Sequence, residues 1–221
     1  RGNFEADGGP QAVTVGDFNG DGLLDIGVAN EDTSNVSLLL QRVVSPDERV
    51  FEFLPNSELD LGTEQGFGAF SVATADLDGD GDDDLVVANA FSENVSVLIN
   101  TNGSFAPAVN YATGSTPRTV IAVDLDGDGD VDLATANEIG GSVSVLLNNG
   151  SGTYSDANNI LLGTAVLWVT AADVNGDERI DLVVTLRDAN QLAILRNTGN
   201  GRFVVDQRLD TGRFPLSVSA A

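Results

Sequence analysis

Four stretches of nine residues place oxygen-bearing side chains where a hard cation would want them. They read DFNGDGLLD (Asp17 to Asp25), DLDGDGDDD (Asp76 to Asp84), DLDGDGDVD (Asp124 to Asp132) and DVNGDERID (Asp173 to Asp181). Positions 1, 3, 5 and 9 are Asp17, Asn19, Asp21 and Asp25 in the first; Asp76, Asp78, Asp80 and Asp84 in the second; Asp124, Asp126, Asp128 and Asp132 in the third; Asp173, Asn175, Asp177 and Asp181 in the fourth. Ca²⁺ takes 6 to 8 oxygens at roughly 2.3–2.6 Å, and alternate residues of a tightly curled loop point to a common centre. Position 7 would add a backbone carbonyl, from Leu23, Asp82, Asp130 or Arg179. A Gly at position 6 lets the chain turn where a Cβ would clash; Gly22, Gly81 and Gly129 meet that demand and Glu178 does not. An EF-hand would also need a bidentate Glu at position 12, which here is Val28, Val87, Thr135 and Val184. The loops are EF-like in ligand spacing only, and they predict three calcium sites with a fourth in doubt.

The first Asp of each loop falls at 17, 76, 124 and 173, in steps of 59, 48 and 49 residues. A period near 50 means a repeat architecture. A short apolar run precedes each loop: Ala12 to Val15, Ser71 to Ala75, Thr119 to Val123 and Trp168 to Ala172. Two more β-rich runs follow it, DIGVAN then NVSLLL in the first repeat, DLVVAN and NVSVLI in the second, DLATAN and SVSVLL in the third, DLVVTL and QLAILR in the fourth. Their Val, Leu and Ile content, with breakers every few residues, argues strands. A Gly-containing turn and a more polar fourth strand complete each unit, ending at Gly62, Gly114, Gly163 and Gly212.

Four-stranded units of this size are the blades of a β-propeller. The fold class expected is all-β: four complete antiparallel blades near 10–62, 69–114, 117–163 and 166–212, in one propeller domain over 1–221. The spacing of Phe4 to Pro10 matches that of Tyr111 to Pro117, so 1–9 is expected to end a preceding blade. Pro215 to Ala221 matches Pro117 to Val123 and is expected to be the first strand of a further one. The longer first repeat holds its excess in Gln41 to Phe53 and Gly62 to Phe70, read as loop or hairpin extensions and a candidate site.

Composition removes several classes of function. The charge of −24 comes from 34 acids against 10 bases, all Arg, which disfavours nucleic acid and anionic membrane as partners. Without Cys there is no disulfide or zinc-thiolate site, and without His no Ser-His-Asp triad. The apolar runs are strand-sized, so no membrane insertion is expected, and no signal-peptide pattern opens the chain. The chain has no Met, and is read as a mature or truncated piece of something longer.

The succession of strand, DxDxDGxxD loop, DLVVAN, NVSVLLN-like run, Gly-rich turn and Phe resembles the FG-GAP or VCBS repeat, as in integrin α-subunit propellers and many bacterial surface proteins. The resemblance covers essentially the whole chain. It implies a propeller, usually seven-bladed, with structural calcium in the loop joining the first two strands of a blade. Loop four departs at Glu178, and Leu186 replaces the Asn found at Asn30, Asn89 and Asn137, which puts its metal in doubt.

Outside the loops, Trp168 and Arg187 are candidate ligand-binding residues, each weighed against a plainer role in blade packing and in an ion pair with a neighbouring acid. Tyr111 and Tyr154 are ambiguous in the same way, and Asn35, Asn94, Asn102 and Asn149 begin sequons. The function expected is a calcium-stabilised, extracellular, non-enzymatic binding, adhesion or scaffold module for protein or carbohydrate. The alternative is a polysaccharide-active enzyme or its accessory domain, working through paired carboxylates.

Overall fold

The sequence DLVVAN at Asp84–Asn89 is buried at all six positions, as a β-branched run must be when both of its faces are covered. It is the second strand of a four-stranded antiparallel sheet, and the same sheet is built four times. The structure is a computed structural model that describes residues 7–45, 48–63 and 68–220, with side chains outside 44–57. Blade one is β1 (Pro10–Gly16), β2 (Asp25–Asn30), β3 (Asn35–Ser45) and β4 (Glu48–Asp60). Blade two is β5 (Ala69–Ala75), β6 (Asp84–Asn89) and β7 (Asn94–Leu98), then a small hairpin of β8 (Asn100–Thr101) and β9 (Ser104–Phe105), then the outer strand β10 (Val109–Ala112). Blade three is β11 (Pro117–Val123), β12 (Asp132–Asn137), β13 (Ser142–Leu146) and β14 (Asn158–Leu161); blade four is β15 (Val166–Ala172), β16 (Asp181–Leu186), β17 (Gln191–Asn197) and β18 (Phe203–Asp210). Among the described residues there is no helix, hence none long and apolar enough to cross a membrane.

Alternation along each second and third strand sends one set of side chains to the preceding blade and the other to the following one. Ala29, Val36 and Leu38 of blade one meet Leu85, Val87 and Leu98 of blade two. Val86, Ala88, Val95 and Val97 meet Leu133 and Leu146; Ala134, Ala136, Val143 and Val145 meet Leu182, Val184 and Leu195. The core is therefore three interblade layers, and the blades are propeller-like. β1, β5, β11 and β15 pack in succession along the inner side, with no comparable packing of β15 back on β1 among the described residues. The outer strands β10, β14 and β18 are largely exposed, as their polar sequences require.

The excess at Gln41 to Phe53 is a continuation of the β3–β4 hairpin, with Val43 opposite Arg49 and Ser45 opposite Glu48. Of the second excess, 64–67 lie outside the described residues, as do 1–6 of the expected preceding blade. Residues 215–220 belong to no strand among the described residues. Each first strand of the four blades is held by pairing with the strand after its acidic loop.

Candidate metal centres

All four acidic loops join the first strand of a blade to the second, and they stand side by side on one rim. The Asp17 N–H donates to Asp83 Oδ2 of the next loop at 2.8 Å. Within loops two and three the curl is set by the acids themselves. Asp76 accepts from the Gly79 and Gly81 N–H groups at 2.8 and 3.0 Å, and Asp124 from Gly127 and Gly129 at 2.7 and 3.0 Å. The carboxylates at positions 3 and 5 each accept from the N–H two residues on. The position-6 glycines are left-handed, with φ of 80° at Gly22, 93° at Gly81 and 97° at Gly129, where a Cβ is costly.

This folding brings carboxylates together. One oxygen each from Asp76, Asp78 and Asp84 lies within 4.8 Å of the others, and so does one each from Asp124, Asp126 and Asp128. Oxygen-only donors converging at such distances suit a hard divalent cation, so the residues of loops two and three fit calcium. Loop one has the same turn, with Asp17 accepting from Asp21 and Gly22, and Asn19 turns its Oδ1 inward to accept from the Asp21 N–H at 2.9 Å. Loop four is built otherwise: Asn175 donates its Nδ2 to Asp181, and the Arg179 guanidinium holds Asp177.

Electrostatics follow burial. Burial pushes the carboxyls of Asp84 and Asp132 up to about 6, against the backbone donors that favour their ionised forms. Asp25 is raised for the same first reason. Asp78 and Asp126 also rise, first through burial, with neighbouring loop acids adding to it. A cation at the centre would relieve all of these.

The ninth acid has a second role that spacing alone did not reveal. Asp84 accepts from the N–H of Leu77 in its own loop and of Asn100, which opens β8 just past β7, both at 2.7 Å. Asp132 does the same with Leu125 and Asn148, both at 2.8 Å. The residue reached, on the third strand or just past it, lies 16 positions beyond the acid in every blade: Gln41, Asn100, Asn148 and Asn197. Where that residue is Asn, its side chain then clamps neighbouring blades together. Asn148 Nδ2 donates to Val131 O of its own loop and to Leu77 O of loop two; Asn197 Nδ2 donates to Ile180 O and to Leu125 O of loop three. That recurrent Asn was the signal available in the sequence.

The candidates outside the loops are placed differently. Arg187 is engaged: its guanidinium pairs with Glu138 of blade three at 2.6 Å and with Asp188 at 2.9 Å. Glu138 also holds Arg118, which lies 4.2 Å over the Phe70 ring of blade two. The plainer reading of Arg187 is the one its surroundings support, a tie across three blades on the rim opposite the loops. Trp168 stands two residues into its strand, the place from which Ser71 accepts from Val120 N–H and Thr119 donates to Leu167 O of the following blade. It remains 40% exposed because no further blade lies against it among the described residues. Tyr154 is buried in a blade interface, edge-on to Tyr111, with its hydroxyl donating to Val131 O. Leu186 lies at the end of the second strand away from loop four. Its counterparts Asn89 and Asn137 sit at the far end of the second strand and donate to Ser96 and Ser144. In blade four Leu186 and Ala193 take the places of that Asn and Ser, both fully buried in the same core cluster.

The fold is shared with structures of low sequence identity. A biofilm matrix protein of V. cholerae, Bap1, superposes with a TM-score of 0.58 at 18% identity, over 90% of this chain and 28% of that one. An Agrocybe aegerita lectin that recognises non-reducing terminal N-acetylglucosamine gives 0.58 at 22%, over 90% of this chain and 51% of the other. Virginiamycin B lyase from Staphylococcus aureus gives 0.57 at 15%, over 94% and 57%. The chain thus corresponds to a part of each. No curated protein matches it by sequence. The FG-GAP-like repeat profile, however, matches four times in succession, over 17–87, 76–135, 124–184 and 173–221. Each match starts on the first Asp of a loop, and the chain belongs to the FG-GAP-like repeat family.

Proposed function

We propose that this chain is part of a calcium-stabilised extracellular β-propeller that acts as a non-enzymatic binding, adhesion or scaffold module for protein or carbohydrate. The observation that carries the calcium reading is the convergence of three carboxylates within 4.8 Å in loops two and three, at the same place in successive blades. An ion there joins the first two strands of each blade and, through the clamping Asn side chains, the rim as a whole. It binds the native state alone and so acts as a staple.

Repetition argues for a structural rather than a catalytic use of these acids, because residues common to every blade make the fold. Elsewhere, the carboxylates beside a cavity of about 340 Å³ between blades three and four, Glu138 and Asp188, are both paired with Arg187. Neither is a free acid or base. The lectin and the biofilm matrix protein among the structural relatives accord with recognition of sugar or protein.

A glycan array, run with and without calcium and paired with a product-release screen on polysaccharides, tests the reading. Binding without turnover is expected. Release of oligosaccharide by the purified protein would overturn it in favour of an enzyme.

A further inference from the structure

We infer that loop four is closed by its own arginine in place of calcium, so that the rim carries three metal sites and one built-in cation. The comparison with loops one to three rests on the calcium reading proposed above; the description of loop four does not.

Four observations separate this loop from its siblings. The position-1 carboxylate of loops two and three accepts two backbone N–H groups, whereas Asp173 accepts four, from Asn175, Gly176, Asp177 and Glu178. Its oxygens are committed to the turn. Position 3 offers a donor instead of an acceptor, since Asn175 Nδ2 points to Asp181 Oδ2 at 3.1 Å, where Asn19 of loop one presents its oxygen. The position-5 acid, Asp177, is held on one oxygen by the Arg179 backbone N–H and on the other by the Arg179 guanidinium. The same guanidinium donates through Nε to Asn197 O at the end of β17.

Arg179 therefore puts a fixed positive charge on the position-5 carboxylate, one of the ligands a metal would use in a sibling loop, and ties it to the third strand. A divalent cation arriving there meets a fixed positive charge on one of its intended ligands and a donor N–H on another, both of which oppose it. At position 6, Glu178 takes the left-handed conformation at φ 65° without being glycine. The turn is thus kept while its ligand set is dismantled. The position-7 side chain, which contributes only its backbone to a calcium loop, carries the charge.

Equilibrium dialysis against millimolar Ca²⁺, with the protein first stripped by EDTA, counts ions bound per chain. Wild type is expected to bind one fewer than the variant E178G/R179D, which rewrites the loop as DVNGDGDID. D177N is expected to leave the wild-type count unchanged. Hydrogen exchange of the wild-type chain should show calcium protecting 76–84 and 124–132 but not 173–181. Four ions on wild type, loss of one ion in D177N, or calcium-dependent protection of 173–181 would each overturn the inference. Because the readout is a difference, a wild type that binds none beside a variant that binds one would refute calcium in loops one to three and still support this account. D177N and the exchange experiment keep the test decisive if the double variant fails to fold.

Discussion

If loops one to three hold calcium as proposed, its removal is the perturbation that reaches furthest into this fold. With about 2 mM Ca²⁺ and dissociation constants on the order of 10⁻⁴–10⁻³ M, as for extracellular modules, mass action stabilises the native state by about 0.6–1.8 kcal/mol per site. Three such sites give about 2–5 kcal/mol, and a chain of this size shifts its melting temperature by about 2–4 °C per kcal/mol. EDTA should therefore lower the melting temperature by about 4–20 °C. The structural origin of this leverage is the burial of Asp84 and Asp132, each fully buried and raised to about 6. In the metal-free protein at neutral pH each stays ionised at a cost of about 3 kcal/mol by the usual conversion, and a bound cation would offset that cost. The assay is a circular-dichroism melt in EDTA, in Ca²⁺ and in Mg²⁺. Magnesium, which demands octahedral geometry and dehydrates reluctantly, should restore little. A melt that moves by less than about 1 °C on chelation, below the effect of even one weak site, would refute the reasoning.

Three further outcomes follow from named contacts. Asp84 and Asp132 have folded-state values above their unfolded ones, so between about 4 and 6 the folded chain keeps protons that the unfolded chain has lost. Metal-free stability should fall as pH rises through that window and level above it, while calcium affinity should weaken as pH falls through about 6. Melts at both ends of the window test this, and an equal calcium increment at pH 5 and at pH 7.5, about the limits of the titration, would contradict it. N148A removes a clamp between loops two and three and leaves buried carbonyls without partners, so urea denaturation should show a loss of about 2 kcal/mol; a loss within about 0.5 kcal/mol would count against the clamp. On the opposite rim, R118A should cost more than R187A, by about 0.5–1 kcal/mol, because Arg118 also covers Phe70. The reverse order in the same denaturation assay would show that the Phe70 contact adds nothing.

The blade pattern was legible because it is local. A nine-residue loop and two strand-sized apolar runs recur in one order, and neither strand pairing nor loop placement needs distant residues to specify it. The candidates that changed meaning depend on contacts between blades. Arg187 gains its role from Glu138, 49 residues away, and Trp168 from the side of the blade to which Ser71 and Thr119 point.

By itself the sequence determined the family, the four-stranded unit and the set of oxygen donors, since each is written within a single repeat. Tertiary structure decided which donors converge. It gave the ninth acid its second task of holding the third strand, and made the Asn 16 residues further on a clamp between blades. It also separated loop four from the others, because what distinguishes a metal site from an arginine-closed turn is where Asn175 and Arg179 direct their donors. Spacing fixes which groups are available; the direction of each hydrogen bond, set only when the blades pack, fixes what they bind.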